Sequence, residues 1–365
     1  MEDRYLSKLS PAEDYGAGAY LLVIAVLSVL GNVAVLVTAL KRSSRLKPPE
    51  LLSVNLAVTD LGMTISMYPL SIASAWNHRW LGGDGSCIYY GLMGFFFGVA
   101  SILTLTMMAI TRFIVTTNLQ VPVLYVYCLY IHTVCTTVST ISPSQVTESP
   151  VWDVRDAGEK ISKKNVSIMI LFTWLYALMW AVFPLLGWGK YGPEPFGISC
   201  TIAWGEFKVN GSTFIVCIFT LCTVVPALTI IICYFGIAWK IHKAYKSMGN
   251  SNQMPSAMKI AVLVSVGFIG CWAPYAAVSL WSMFRSSDSI PPLVSLLPCL
   301  FAKSATAYNP FIYYIFSKSF RKEIKLLTCF CGKPDDLLNT VNMAENPVNV
   351  TCDDKRKQET TLPLQ

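Results

Sequence analysis

Phe301-Ala302-Lys303-Ser304-Ala305-Thr306-Ala307-Tyr308-Asn309-Pro310-Phe311-Ile312-Tyr313 sets a lysine near the middle of an otherwise apolar segment that runs from about Pro292 to Phe316. At about 1.5 Å per residue, such a helix spans the roughly 30 Å hydrocarbon core of a bilayer, with Lys303 near the midplane. An ammonium there costs about 2.5 to 3.5 kcal/mol. A lysine at that depth is therefore a candidate functional group, its alternative being a structural cation that snorkels or pairs with a carboxylate.

The rest of the chain supplies the same setting. Its mean hydropathy is +0.51 and only 13% of its 365 residues are charged, against about 25% in a soluble domain. Further spanning segments run approximately from Ala17 to Leu40, Pro49 to Ala75, Cys87 to Thr117, Val166 to Gly187, Gly211 to Lys240 and Ala257 to Phe284. The predicted fold class is an all-α membrane protein, a bundle of seven transmembrane helices. The net charge of +7 sits mostly in short links: Lys41, Arg42, Arg45 and Lys47 after the first span, Lys240 to Lys259 after the fifth, and Lys318 to Lys325 after the seventh. The positive-inside rule places these links in the cytoplasm and the N-terminus outside. No basic face for nucleic acid is formed. The twelve cysteines include no C-x-x-C pair, so neither a metal site nor a catalytic residue is expected.

Phe301-Ala302-Lys303, followed by Asn309-Pro310-Phe311-Ile312-Tyr313, resembles the seventh helix of the opsins, the retinal-binding branch of the rhodopsin-like G-protein-coupled receptors. Asn309, Pro310 and Tyr313 resemble the whole receptor class; the lysine selects the opsins. The resemblance implies that Lys303 holds retinal, 11-cis or all-trans, as a Schiff base. A desolvated lysine amine suits condensation with an aldehyde. Pro193-Glu194-Pro195-Phe196-Gly197, Trp272-Ala273-Pro274-Tyr275 and Asp288-Ser289-Ile290-Pro291 are similar to the neuropsin branch. In that branch a lysine often precedes the second-helix proline and accompanies ultraviolet sensitivity; here Tyr68 precedes Pro69.

The protonated linkage needs an anion nearby. Some opsins place it on the third helix, three residues after the cysteine, where this chain has Tyr90. Glu194 matches the alternative counterion position, typical of opsins whose photoproduct is stable and photoreversible. Tyr90, Trp272 and Tyr275 are expected in the retinal pocket, with Phe214, Phe268 and Trp281 as weaker candidates. Gly94-Phe95-Phe96-Phe97-Gly98 reads as core rather than cofactor wall. Cys87 and Cys200 both face the oxidising side, so a disulfide between them is favoured, with Cys299 as a competing thiol. Asp60, inside the second span, needs polar company, for which Asn32 and Asn309 are the natural partners.

Arg112, at the cytoplasmic end of span three, resembles the arginine that reaches into a G protein, but Thr111 stands where the family has a carboxylate. The interval from Arg112 to Trp174 exceeds the family's, and the surplus matches an atypical insertion in the second cytoplasmic loop at 121–156. Its Tyr-rich first part is apolar enough for an extra span. An extra crossing, however, would put Lys240 to Lys259 outside and separate Cys87 from Cys200.

The expected organisation is an extracellular N-terminus (1–16), a seven-transmembrane retinal-binding domain (17–316), a short amphipathic cytoplasmic helix (317–331) and a disordered tail (332–365). Cys329 and Cys331 are palmitoylation candidates. Asn210 begins a glycosylation sequon on the outer side. Function is expected to be that of a light-activated, bistable receptor in the plasma membrane. Its expected partners are a heterotrimeric G protein, arrestin, a receptor kinase and membrane lipid. A retinal photoisomerase and a chemical-ligand receptor are the alternatives.

Overall fold

A computed structural model of the chain describes residues 3–117, 162–204, 212–248, 256–284 and 290–330. The insertion at 121–156, Asn210, Asp288, Ser289, Cys331 and the tail lie outside the described residues. Cys329 lies in the last helix, but its side chain is not among those described.

The helices are α1 (Pro11–Lys41), α2 (Pro48–Trp76), α3 (Gly83–Thr117), α4 (Lys163–Val182), α5 (Ser212–Ile218), α6 (Val225–Met248), α7 (Ser256–Phe284), α8 (Pro292–Phe316) and α9 (Lys318–Phe330). A π-helical turn, Phe219–Val224, joins α5 to α6 as one span. Among the described residues, six stretches are long and apolar enough to cross a bilayer. The seventh span, α8, has the length at 25 residues, and Lys303, Asn309 and its prolines dilute its apolarity. The helix α1 begins six residues before the expected Ala17. The Ser10 hydroxyl accepts from the Glu13 amide and the Glu13 carboxylate accepts from the Ser10 amide, a reciprocal cap that starts the helix at Pro11.

α3 runs through the centre, against α2, α4 and α6, while α1 packs on α2 and α8, and α8 on α7. With little hydrophobic drive between helices in lipid, close packing and internal hydrogen bonds hold such a bundle. The junction of α1 and α8 shows both. Pro310 has no N–H, so the carbonyl of Thr306 loses its helical donor. Asn32 donates to that carbonyl at 2.9 Å and Ser28 at 3.3 Å. Gly31 makes the approach feasible, because a Cβ there would sit 2.6 Å from the Pro310 ring.

One end of the bundle is closed by a hairpin of β1 (Tyr191–Pro193) and β2 (Cys200–Ile202), paired with Pro193 opposite Cys200. The Cys87–Cys200 disulfide ties β2 to the start of α3. Over the hairpin lies the N-terminal segment. Lys8 donates its amide to the Phe196 carbonyl, and Trp80 donates to the Tyr5 carbonyl. Gly197 has φ +92° and lies against the Leu6 backbone, a position no larger residue fits. Asp14, fully buried, accepts from Ser7 at 2.9 Å and pairs with His78 Nδ1 at 2.9 Å. At the opposite end α9 turns off α8 and buries Phe320 against Tyr313.

Candidate functional site

Inside the disulfide end lies a cavity with walls from α2, α3, the hairpin, the π-turn, α7 and α8. Lys303 is buried in its wall on α8. The sequence-predicted residues Tyr90, Glu194, Phe268, Trp272 and Tyr275 all line it. Phe214 and Trp281 do not: Phe214 packs against Trp180 and Trp188, and Trp281 is 45% exposed. The aromatic cluster of α3 divides. Gly94, Phe95 and Gly98 line the cavity, so the core assignment holds only in part, whereas Phe96 and Phe97 face Trp174 with ring centroids at 5.3 and 6.1 Å.

The amine of Lys303 points to three neighbours. It donates to Ser199 Oγ at 3.3 Å and to Cys299 Sγ at 3.3 Å, and it lies 5.4 Å from the centroid of the Tyr90 ring. Ser199 in turn reaches the Tyr90 hydroxyl at 3.4 Å. Glu194 belongs to a second cluster. Tyr275 donates to its Oε1 at 2.7 Å and stands 3.0 Å from Thr201 Oγ1. Glu194 and Lys303 share the cavity without a direct ion pair among the described residues; Ser199, which the Lys303 amine reaches, stands opposite Glu194 across the hairpin turn, its carbonyl accepting from the Glu194 amide at 2.8 Å. Burial pushes the Glu194 carboxyl up to about 7, with the Tyr275 bond and the Lys303 charge pulling the other way.

Spacing did not single out three of these contacts. Tyr68 donates to the Lys303 carbonyl at 2.6 Å and sits 3.1 Å from Thr306 Oγ1. Ser199 comes from the loop. Cys299, the suggested disulfide competitor, is instead a free thiol one turn before Lys303, and its i, i+4 spacing was the signal that could have found it.

In the cavity wall, Trp272 lies beside Phe268 with ring centroids 5.7 Å apart and meets Tyr275 edge-on at 6.0 Å, and its edge lies over Gly98. The polar network deeper in the bundle differs from expectation at one residue. Asn309 donates to Asp60 Oδ2 at 2.8 Å, as expected. Asn32 does not bond Asp60; the freed Thr306 carbonyl, with Ser28, takes its amide instead. Asn55 links Thr104 at 2.8 Å and Trp174 at 2.9 Å. At the far end, the Arg112 Nε is buried without a hydrogen-bond partner, and Tyr234 and Tyr313 are its near neighbours. Thr111 bonds its own helix, at Met107 and Met108, and offers Arg112 nothing.

Comparison with known proteins gives a consistent result. Residues 31–148 and 153–313 match the family of 7 transmembrane receptors (rhodopsin family). Opsin-5 of Mus musculus is 35% identical, over 87% of this chain and 78% of its own length. The visual pigment-like receptor peropsin of the same species is 30% identical, over 87% of this chain and 85% of its own. The crystal structure of squid rhodopsin superposes with a TM-score of 0.71 at 24% identity, covering 100% of this chain and 96% of that one, a likeness of fold.

Proposed function

Because this chain belongs to the rhodopsin family of seven-transmembrane receptors, and within it to the opsins, we propose a bistable, neuropsin-like photopigment that carries retinal on Lys303 and signals to a heterotrimeric G protein. The chain is a multi-pass membrane photoreceptor of the G-protein-coupled class. The observation that carries the finer reading is the position of Lys303: a primary amine buried in the wall of a largely apolar cavity, with a cluster of polar side chains beside it. Retinal, an apolar polyene ending in one aldehyde, fits both features. When bound it supplies light absorption and a double-bond isomerisation.

The protein's own residues do the rest. Lys303 Nζ is the attachment atom, and Ser199, Cys299 and Tyr90 hold it in place. Glu194 supplies the negative charge for that end of the cavity, oriented by Tyr275 and screened from bulk water by the hairpin and the N-terminal segment. No carboxylate stands on α3 at Tyr90, and the loop position of Glu194 supports a photoproduct that stays bound. Trp272, beside the kink at Pro274, is the contact through which movement in the cavity reaches α7. α7 then swings to expose the Arg112 end, where Asp60, Asn309, Pro310 and Tyr313 repack.

The disulfide end faces the exterior of the plasma membrane and the Arg112 end the cytoplasm, the orientation that the basic links favour. Arrestin, a receptor kinase and palmitoylation at Cys329 and Cys331 belong to the same reading. The test is an absorption spectrum of the purified protein with 11-cis or all-trans retinal, before and after illumination, beside Lys303→Ala. A light-shifted band that needs Lys303 is expected. Its absence in folded protein rejects the reading.

A further inference from the structure

Cys299 and Lys303 stand one turn apart on α8, both in the cavity wall, and the amine donates to the thiol sulfur at 3.3 Å. Of the five free cysteines among the described residues, Cys299 alone bonds an amine; Cys271, for comparison, meets the Ser304 hydroxyl at 3.9 Å. The amine's other neighbours are the Ser199 hydroxyl and Tyr90. By ordinary acidity the thiol is the strongest acid of the three. Two nucleophiles thus share one contact inside an apolar cavity.

The pair has a chemistry that neither residue has alone. A cysteine is oxidised as its thiolate, and the amine, already in contact, is the base that takes the thiol proton. The thiolate sulfur attacks a peroxide: an S–O bond forms, the O–O bond breaks, and the departing hydroxide recovers the proton from the ammonium as water. A sulfenic acid is left beside a neutral amine. Sulfenic acids condense with a thiol or a nitrogen. Among the described residues no second thiol bonds Cys299, whereas the Lys303 nitrogen does. That nitrogen attacks the sulfur, the S–O bond breaks, and a second water leaves with one hydrogen of the amine. In sum, thiol, amine and hydrogen peroxide give a sulfenamide and two waters; sulfur loses two electrons and the peroxide gains them. Residues four apart are neighbours on a helix face, and the lysine stem is flexible, so the S–N bond closes by side-chain rotation.

We infer that Cys299 and Lys303 form a modification site for hydrogen peroxide, where oxidation of the retinal-free protein makes a reversible S–N cross-link. The cross-link occupies the nitrogen that an aldehyde needs, so oxidation closes the cavity to chromophore. A Schiff base formed first occupies the same nitrogen and blocks the cross-link. This gate rests on Lys303 carrying a retinal; the cross-link rests only on the contact between sulfur and nitrogen.

The test treats purified, retinal-free, full-length protein with graded hydrogen peroxide, removes the excess with catalase and divides the sample. In one half, mass spectrometry reads the peptide that spans both residues, which is expected to lose two hydrogens and to regain them with dithiothreitol. The other half receives 11-cis-retinal, and its absorption band should shrink one for one with the fraction of cross-linked peptide and return with dithiothreitol. In Cys299→Ser, whatever the height of its band, the values before and after peroxide should be equal. Two results overturn the cross-link: a Cys299 that gains oxygen without losing those hydrogens, and a Cys299 left unoxidised at peroxide levels that convert methionines of the chain to sulfoxides. That readout uses the wild type and needs no band. A cross-linked peptide in protein that gives no band before treatment upholds the cross-link and rejects the photopigment, and the gate with it. A band that shrinks equally in Cys299→Ser overturns the gate.

Discussion

The Tyr68 hydroxyl donates to the backbone carbonyl of Lys303 at 2.6 Å, so the residue preceding the proline of α2 holds the backbone from which the functional amine projects. Tyr68 is wholly buried. Removing its hydroxyl leaves Lys303 chemically intact and its anchorage weaker.

Tyr68→Phe should therefore destabilise the protein by about 1 kcal/mol, the net contribution of one such bond. It should also shift the absorption band of the retinal complex without abolishing it. Thermal denaturation and a spectrum of the same sample check both.

Glu194 gives the retinal-free protein a pH dependence. Its folded value of about 7 stands above the ordinary 4.5, so the folded chain holds the proton more tightly than the unfolded one. The associated stability is complete below pH 4.5 and is lost as pH rises through 7. A shift of that size corresponds to about 3 kcal/mol at most. Melting curves of the retinal-free protein from pH 5 to 8 should fall for the wild type and stay nearly flat for Glu194→Gln.

The disulfide closes a loop of 113 residues. On chain-entropy grounds Cys87→Ser should lose about 5 kcal/mol at most. Because β2 carries Cys200 beside Ser199 and Thr201, it should also loosen the Lys303 end of the cavity. Lower recovery of folded protein, and faster hydroxylamine bleaching of what remains, are the expected readings.

Arg112 has a buried Nε with no partner, and Thr111 turns its hydroxyl to its own helix. Thr111→Glu supplies the missing acceptor. Basal nucleotide exchange on a reconstituted G protein should drop by roughly tenfold, the effect of one charge-assisted bond that favours the resting state. An unchanged basal rate would mean that Arg112 is not the restraint.

Much of this was legible from residues alone, for reasons that differ from place to place. Span positions follow from apolar length, which the bilayer sets. The pairing of Cys87 with Cys200 follows from topology, and the Asn309–Asp60 bond from the scarcity of partners in lipid. Asn32 was assigned to Asp60 by the same logic and went elsewhere. Pro310 creates an orphan carbonyl at Thr306, and that demand, unlike a carboxylate, leaves no mark at the residue that feels it. Tyr68 and Ser199 were missed because their roles depend on which helix face and which loop residue meet Lys303. Phe214 and Trp281 were aromatic residues in promising segments, turned towards other neighbours.

The bond from Asn32 to the Thr306 carbonyl joins residues 274 positions apart. A ribosome adding about 5 to 20 residues per second needs roughly 15 to 55 s to travel between them. For that interval the first helix waits in the membrane with only its own Ser28 carbonyl for the Asn32 amide, while five further spans are inserted around it. The bundle is thus a ring whose clasp is made last, and a nascent chain halted before its final helix would present an open seam to whatever surveys membrane proteins for completeness.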